Sequence, residues 1–452
     1  MRIVGSGARR YTLGAGAAAL TIGMLAGSLP AAGAAPAACA EAAPAWSARR
    51  VIGAPCPTAA GIAAVTPPSS RPAALATNGV YTVPASIDPT GRTEVSEALA
   101  SWLATIPAAT AAAPITVRFQ PGATYWSDYT IPLRKAPSAT GGILGAMWRS
   151  LPAFNLSHTT IDLNGATISQ RTTTPWRVGT GPVLDARKRW GGPILFTAGA
   201  TNVRITNGTL SGSATPVRYD PNREDWMGIL IGGDNEDDVA QNMRVDRVTI
   251  RNVWGDAIYL ASQTARGKLL KDVTIEDNVV RGTGRHGMTI HGGTNLTIRR
   301  NTINGVSRLV FDSEPAAVHG WSDVTITQNT VAVGSLGFLQ YVGQRQSPAS
   351  GLRITDNTIT SGHLVVEVGN GSDSLRQGIT ITGNRSLDPT EFRRSVLHRN
   401  LVTVNRWAGV TIADNQDRVH VNSQPFAVDA STSPGAAVRG NAWAGSAVAA
   451  LR

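Results

Sequence analysis

Val324-Thr-Ile-Thr-Gln-Asn329 is one copy of a phrase that recurs down this chain: apolar, Thr or Arg, Ile, two variable residues, Asn. It is preceded by Val273-Thr-Ile-Glu-Asp-Asn278 and Leu296-Thr-Ile-Arg-Arg-Asn301. It is followed by Leu352-Arg-Ile-Thr-Asp-Asn357, Ile379-Thr-Ile-Thr-Gly-Asn384 and Val410-Thr-Ile-Ala-Asp-Asn415. Successive asparagines are 23, 28, 28, 27 and 31 residues apart. A period in this range marks a solenoid, in which each repeat packs only on its neighbours. That arrangement lets 452 residues fold without the single oversized core that such a length would otherwise need. His158-Thr-Thr-Ile-Asp-Leu-Asn164 and Val203-Arg-Ile-Thr-Asn207 read as earlier, looser copies. The asparagines are expected to stack inside a turn, bonding the backbone and one another, and so to be scaffold.

Outside the repeats, residues 1–34 read as an export leader. Arg2, Arg9 and Arg10 precede an apolar run, and Ala32-Gly33-Ala34 offers a small-residue cleavage site. Arg9-Arg10 leaves general secretion and twin-arginine export both open. A secreted location is expected. No later stretch is long and apolar enough to span a bilayer. Residues 35–76 are rich in Ala and Pro and read as a linker. The only cysteines, Cys39 and Cys56, fall there; export permits a disulfide between them, and neither is placed for catalysis.

The chain carries 41 basic and 30 acidic residues, net +11; without the three leader arginines the balance is 38 against 30. A basic surface favours an anionic partner such as an acidic polysaccharide, and an arginine-rich solvated surface reads equally well. No nucleic-acid-binding motif accompanies the charge, so nucleic acid is not expected as a partner. Oligomeric state is open.

The spacing of Val95, Leu99, Trp102, Leu103 and Ile106 predicts a helix over about 93–106, with Thr93 as its N-cap and Pro107 ending it. It is expected to cover the open edge of the first coil. Strands follow from Ile115-Thr-Val-Arg-Phe119 onward. Two insertions, 170–192 and 211–242, interrupt the early repeats, and long loops on a regular scaffold tend to carry binding. Cap helix, strands and asparagine ladder together resemble the right-handed parallel β-helix family of pectate-lyase-like proteins (the pectin lyase fold). The resemblance implies an all-β, single-stranded parallel β-helix over 77–445, leaving 446–452 as a tail. It also implies a protein that acts on polysaccharide in a groove along one sheet.

Each coil has a second strand after its asparagine. Gly255-Asp-Ala-Ile-Tyr-Leu-Ala261 lays over Arg285-His-Gly-Met-Thr-Ile-His291 and over Arg308-Leu-Val-Phe-Asp-Ser-Glu314. Alternation puts Ile258, Met288 and Phe311 inward, and Tyr259, Thr289 and Asp312 in an outward column. Ala261, His291 and Glu314 form a second outward column, and Gly255, Arg285 and Arg308 begin a third. With coils about 4.8 Å apart, these polar side chains crowd one patch. Gln340 and Glu367 extend it on later coils.

Paired carboxylates split into acid and base when their surroundings push their pKa values apart. The candidate catalytic set is Asp312 and Glu314 as acid and base, His291 assisting and Arg285 gripping the substrate. Arg308, Tyr259, Trp226 and Glu367 are candidate substrate-binding residues. The same residues also fit an ordinary solvated face of ion pairs. Trp176, Trp190 and Trp226 lie in the insertions, where a flat ring either stacks on a sugar or packs on the solenoid wall.

A glycoside hydrolase is the first reading. In the family some members are lyases; under that reading Arg285 or Arg308 is the base, and Asp312, Glu314 and Glu367 hold Ca2+. A non-enzymatic glycan-binding or adhesion solenoid is the third. Asp234-Asn-Glu-Asp-Asp238 is acidic but lacks the glycine and spacing of a calcium loop, and reads better as a solvated turn. No metal ligand set is assigned.

Overall fold

The computed structural model describes residues 76–128, 131–134, 156–173, 193–224, 226–232, 239–262, 269–315, 320–334, 336–341, 349–368, 376–387, 402–417, 426–428 and 433–443. The expectations for the leader, Cys39, Cys56, Trp176, Trp190, the 234–238 run and the tail lie outside these residues.

One turn of the chain shows how every coil is built. Trp321–Thr327 runs as a strand with Val324 and Ile326 turned inward, at 1% and 0% exposure. Gln328 then takes a left-handed backbone (φ 56°), which turns the chain, and Asn329 follows, fully buried. A short strand, Thr330–Ala332, leads through a turn to Gly337–Tyr341. The chain then returns to Ala349–Thr355, directly above the start. Val, Ile and Thr suit this pleated, half-buried wall.

Stacking is in register. Val324 and Ile326 pair with Leu352 and Ile354, these with Ile379 and Ile381, and these with Val410 and Ile412. The described pairings are parallel throughout, except for the first two short strands, Ala76–Thr77 and Val80–Thr82. One stack joins the strands before and after each asparagine; the other contains ten strands, from Ile131–Arg134 to Phe426–Val428. A continuous apolar core runs between them, from Tyr81 to Ile412.

The asparagines form the expected ladder. The side-chain oxygen of Asn329 accepts from the backbone and side-chain N–H of Asn301, each at 3.0 Å. Its amide donates to Ile298 O and to Asn357 Oδ1, both at 3.0 Å. The pattern runs from Asn278 to Asn441, one coil past the last copy of the phrase. Asn164 and Asn207, in the early copies, stand outside it: both are left-handed corner residues, and Asn207 donates to Asp162.

The helix is shorter than its apolar spacing predicts, Ser96–Leu103. Thr93 is not its N-cap. Its backbone N–H is taken by Asp88, and Glu94 instead holds the first turn by accepting from Ser96 N–H at 3.1 Å. Val95, Leu99, Trp102, Leu103 and Ile106 are all buried in the common core, as the spacing requires. No helix among the described residues is long and apolar enough to cross a membrane.

Candidate active site

The patch lies on the ten-stranded stack, whose register follows the alignment of the second strands. Ile258 pairs with Met288 and Met288 with Phe311; Tyr259 pairs with Thr289, and Thr289 with Asp312. The next coils continue the column through Gln340 and Glu367. The side chain of Glu367 lies outside the described residues. Phe311 faces the core, and Ser313 takes a bond from Trp321 Nε1 at 2.9 Å, so Asp312 and Glu314 face the other way.

The expected openness is corrected. Tyr259, Thr289 and Asp312 are 3%, 0% and 2% exposed, and Arg285 and His291 are also buried. A loop at the start of the second insertion, residues 212–224, folds over them. Trp226 anchors it: it is buried with Trp254 and Ala214, Val217 packs on the cluster, and Arg223 lies 4.0 Å over the Trp254 ring. Trp226 is therefore part of the wall and presents no face to a sugar. The loop backbone presses so close that a Cβ at Gly255 would collide with Glu224 O, and one at Gly284 with Arg218 O. From this loop Tyr219 reaches under Arg308, 4.6 Å from ring to guanidinium, and its hydroxyl donates to Glu224. Tyr219 stays 40% exposed at the rim.

Arg285 is the hub. Its Nη2 lies 2.8 Å from Glu314 Oε2 and 3.8 Å from Asp312 Oδ2, its Nη1 3.4 Å from Asp256 Oδ2, and its Nε 3.9 Å from Glu224 Oε1. Burial pulls its pKa down, but Asp256, Glu314, Asp312 and Glu224 together outweigh this and drive it above the ordinary arginine range. Burial, reinforced by the charge of Glu314, holds the Asp312 carboxyl well above the usual carboxylate range. Glu314 is 35% exposed on its side chain. Two carboxyls two residues apart thus meet very different surroundings.

Two residues that alternation does not single out complete the site. Asp256 is fully buried and accepts from His286 N–H at 2.9 Å and Thr289 Oγ1 at 2.7 Å. Burial raises its pKa to about 6, against the pull of Arg285 and these two bonds. His286 Nδ1 accepts from Leu309 N–H at 3.2 Å, so the ring's proton sits on Nε2, which lies 3.2 Å from Asp312 Oδ2. That contact is close but poorly aligned, and Asp312 Oδ2 makes no hydrogen bond. Burial, then Arg285 and Arg308, keep His286 neutral. The Tyr259 hydroxyl is likewise buried without a hydrogen-bond partner, and its ring stacks on His291 at 6.2 Å. Asp256, His286 and Leu309 are stacked on successive coils, and a buried polar pair at one register was the available signal.

Asp312 and Glu314, two of the three residues suggested for calcium, are turned to a guanidinium instead. A guanidinium already occupies the point where Asp256, Asp312, Glu314 and Glu224 converge. Among the described residues no three His, Cys, Asp or Glu side chains are grouped to hold a metal.

Residues 227–441 match the family described as the right handed beta helix region. The described residues fold as a right-handed parallel β-helix. This β-helix is similar in fold to a mutant tailspike protein of E. coli bacteriophage HK620, with 13% identity and a TM-score of 0.48 over 79% of this chain and 64% of that one. It is also similar to an exopolygalacturonase from Thermotoga maritima, with 12% identity and a TM-score of 0.46 over 81% and 92%. PfbA, a surface adhesin of Streptococcus pneumoniae, aligns with 12% identity and a TM-score of 0.43 over 79% and 88%. The β-helix thus spans less than two thirds of the tailspike chain. No curated protein sequence matches it.

Proposed function

We propose that this β-helix is a secreted glycoside hydrolase, with Asp312 as general acid and Glu314 as its ionised partner. The observation that carries this is the shared guanidinium: Arg285 Nη2 pairs with Glu314 at 2.8 Å, while burial and the Glu314 charge hold the Asp312 carboxyl well above the usual carboxylate range. Asp312 gives its proton to the glycosidic oxygen as the bond to the anomeric carbon breaks. Both carboxyls contact one Nη2, so their nearest oxygens are no farther apart than those two contacts combined. That bound admits both routes, direct attack by Glu314 followed by hydrolysis of the glycosyl ester, and attack by a water that Glu314 deprotonates. Tyr219, at the rim beside Arg308, is the ring placed to meet an incoming sugar.

The bound sugar is neutral on this reading. Asp256, Glu314 and Glu224 outnumber Arg285 and Arg308 even with Asp312 protonated, so a uronate would meet its own charge. The same geometry disfavours lyase chemistry through Arg285. A base must give up its proton, and four carboxyls drive Arg285 to keep it.

A panel of neutral and acidic glycans, read for reducing ends and for ultraviolet absorbance, tests the proposal. Reducing ends without absorbance are expected, with turnover reduced about a thousandfold or more in Asp312→Asn and the melt nearly unchanged. Full activity in Asp312→Asn ends the assignment, and binding without turnover on any polymer ends the enzymatic reading.

A further inference from the structure

A second charged surface lies on the long stack, away from the ten strands that carry the candidate site. Asp246 and Glu276 occupy successive coils at one register position and are 0% and 1% exposed. Asp246 takes Arg204 through two bonds of 2.7 Å, Arg247 at 3.1 Å and Arg244 at 3.5 Å. Glu276 takes Arg244, Arg299 and Arg300, each at 2.6 Å. The carboxylates are buried beneath and the guanidiniums form the outer layer, 35–52% exposed. Solvent therefore meets five arginines, with Asp277 beside Arg300 the one exposed carboxylate bonded to them among the described residues.

Two features go beyond what an internal ion network needs. Arg247 and Arg300 sit at left-handed corners, both with φ 54°, a conformation that disfavours a long side chain; Asp, Gln or Gly fills this corner on the later coils. On the adjoining face Arg251 and Arg281 stand side by side on neighbouring coils, both exposed, and neither meets a carboxylate among the described residues. Like charges placed directly opposite each other destabilise a sheet, so this pair costs stability that no carboxylate among the described residues offsets.

We infer that this arginine face is a docking surface for an anionic polysaccharide, separate from the site that holds Asp312. The buried carboxylates fix the guanidinium planes in advance, which lowers the ordering cost of binding. Coils repeating every 4.8 Å or so present charge at regular intervals, as a polymer of carboxylated or sulfated sugars does. The large exposed hydrophobics of the described residues are Tyr219 and Leu387, neither on these strands, so the face offers no ring on which nucleic-acid bases could stack. The surface would hold the protein on an acidic matrix while the other face meets neutral sugar.

The test measures binding of heparin and polygalacturonate oligosaccharides to the intact protein, with neutral dextran and single-stranded DNA for comparison. Arg251→Ala/Arg281→Ala removes groups with no internal partner, so its melt should match or exceed the parent's. It should bind the acidic glycans about tenfold more weakly. Arg247→Ala/Arg300→Ala should do the same, with Lys at both positions restoring part of the loss, and Asp312→Asn should bind like the parent. Unchanged affinity in both double variants overturns the inference. So does binding of dextran or DNA as tight as that of the acidic glycans.

Discussion

Asp312 and Glu314 sit two positions apart at the end of one strand, and burial together with the Glu314 charge sets Asp312 apart. Asp312 turns toward His286 and Arg285 an oxygen that no hydrogen bond satisfies, so losing the proton would leave a buried charge repelled by that of Glu314. Removing the neighbouring charge should relax this. In Glu314→Gln the Asp312 carboxyl should titrate at lower pH than in the parent, read by carbon-13 NMR of the labelled carboxyl; an unmoved midpoint would show that the two are not coupled. Asp256 gives a stability prediction. Its pKa rises from 3.8 to about 6 on folding, so the native state binds the extra proton between those values. Stability from this group is complete below about pH 4 and is lost as pH rises through about 6. Asp256→Asn should flatten the fall in melting temperature across that interval. The strand residues at the site were legible because alternation reaches them. Asp256 and His286 were not, since each lies in the turn before its strand, where a period of two says nothing about direction.

The asparagine ladder is a different kind of element, one in which each member serves two coils. Asn329→Ala would strip the buried N–H donors of Asn301 of their shared acceptor and remove the side-chain donor from Ile298 O and Asn357 Oδ1, the latter keeping the Asn329 backbone N–H. A loss of about 3 kcal/mol or more is expected from equilibrium denaturation. Asn441 bonds Ile412 O and Arg439 O and receives the two N–H groups of Asn415, and the described ladder ends with it. Asn441→Ala should therefore cost less than Asn329→Ala. The loop over the site depends on a satellite cluster separate from the main core. Trp226→Ala should loosen Tyr219 and Glu224, raising KM for a glycan substrate while the solenoid melts nearly as before. The sequence marked this loop as an insertion rich in aromatic and charged residues. It gave no sign of which way Trp226 points, because an indole is equally suited to a sugar face and to a protein wall.

At the scale of the whole molecule, the repeat reads out the fold because it states a contact rule: each residue of a coil meets its counterpart in the next. The in-register columns from Val203 to Ile412 follow that rule, and the helix and the loop are departures from it. Burial of the site was not legible for the same reason, since the covering loop obeys no period. The rule also predicts how damage spreads. In a stack whose coils touch only their neighbours, a lesion weakens the adjoining interfaces first. Hydrogen exchange in Asn329→Ala should quicken in Gly293–Arg299, Trp321–Thr327 and Ala349–Thr355, whose ladder bonds that side chain joins. Protection in Gln241–Val253, three coils below Asn329, should stay near the parent's value. An equal rise in every coil would mean that the core from Tyr81 to Ile412 opens as one cooperative body, and that the nearest-neighbour description fails for this chain.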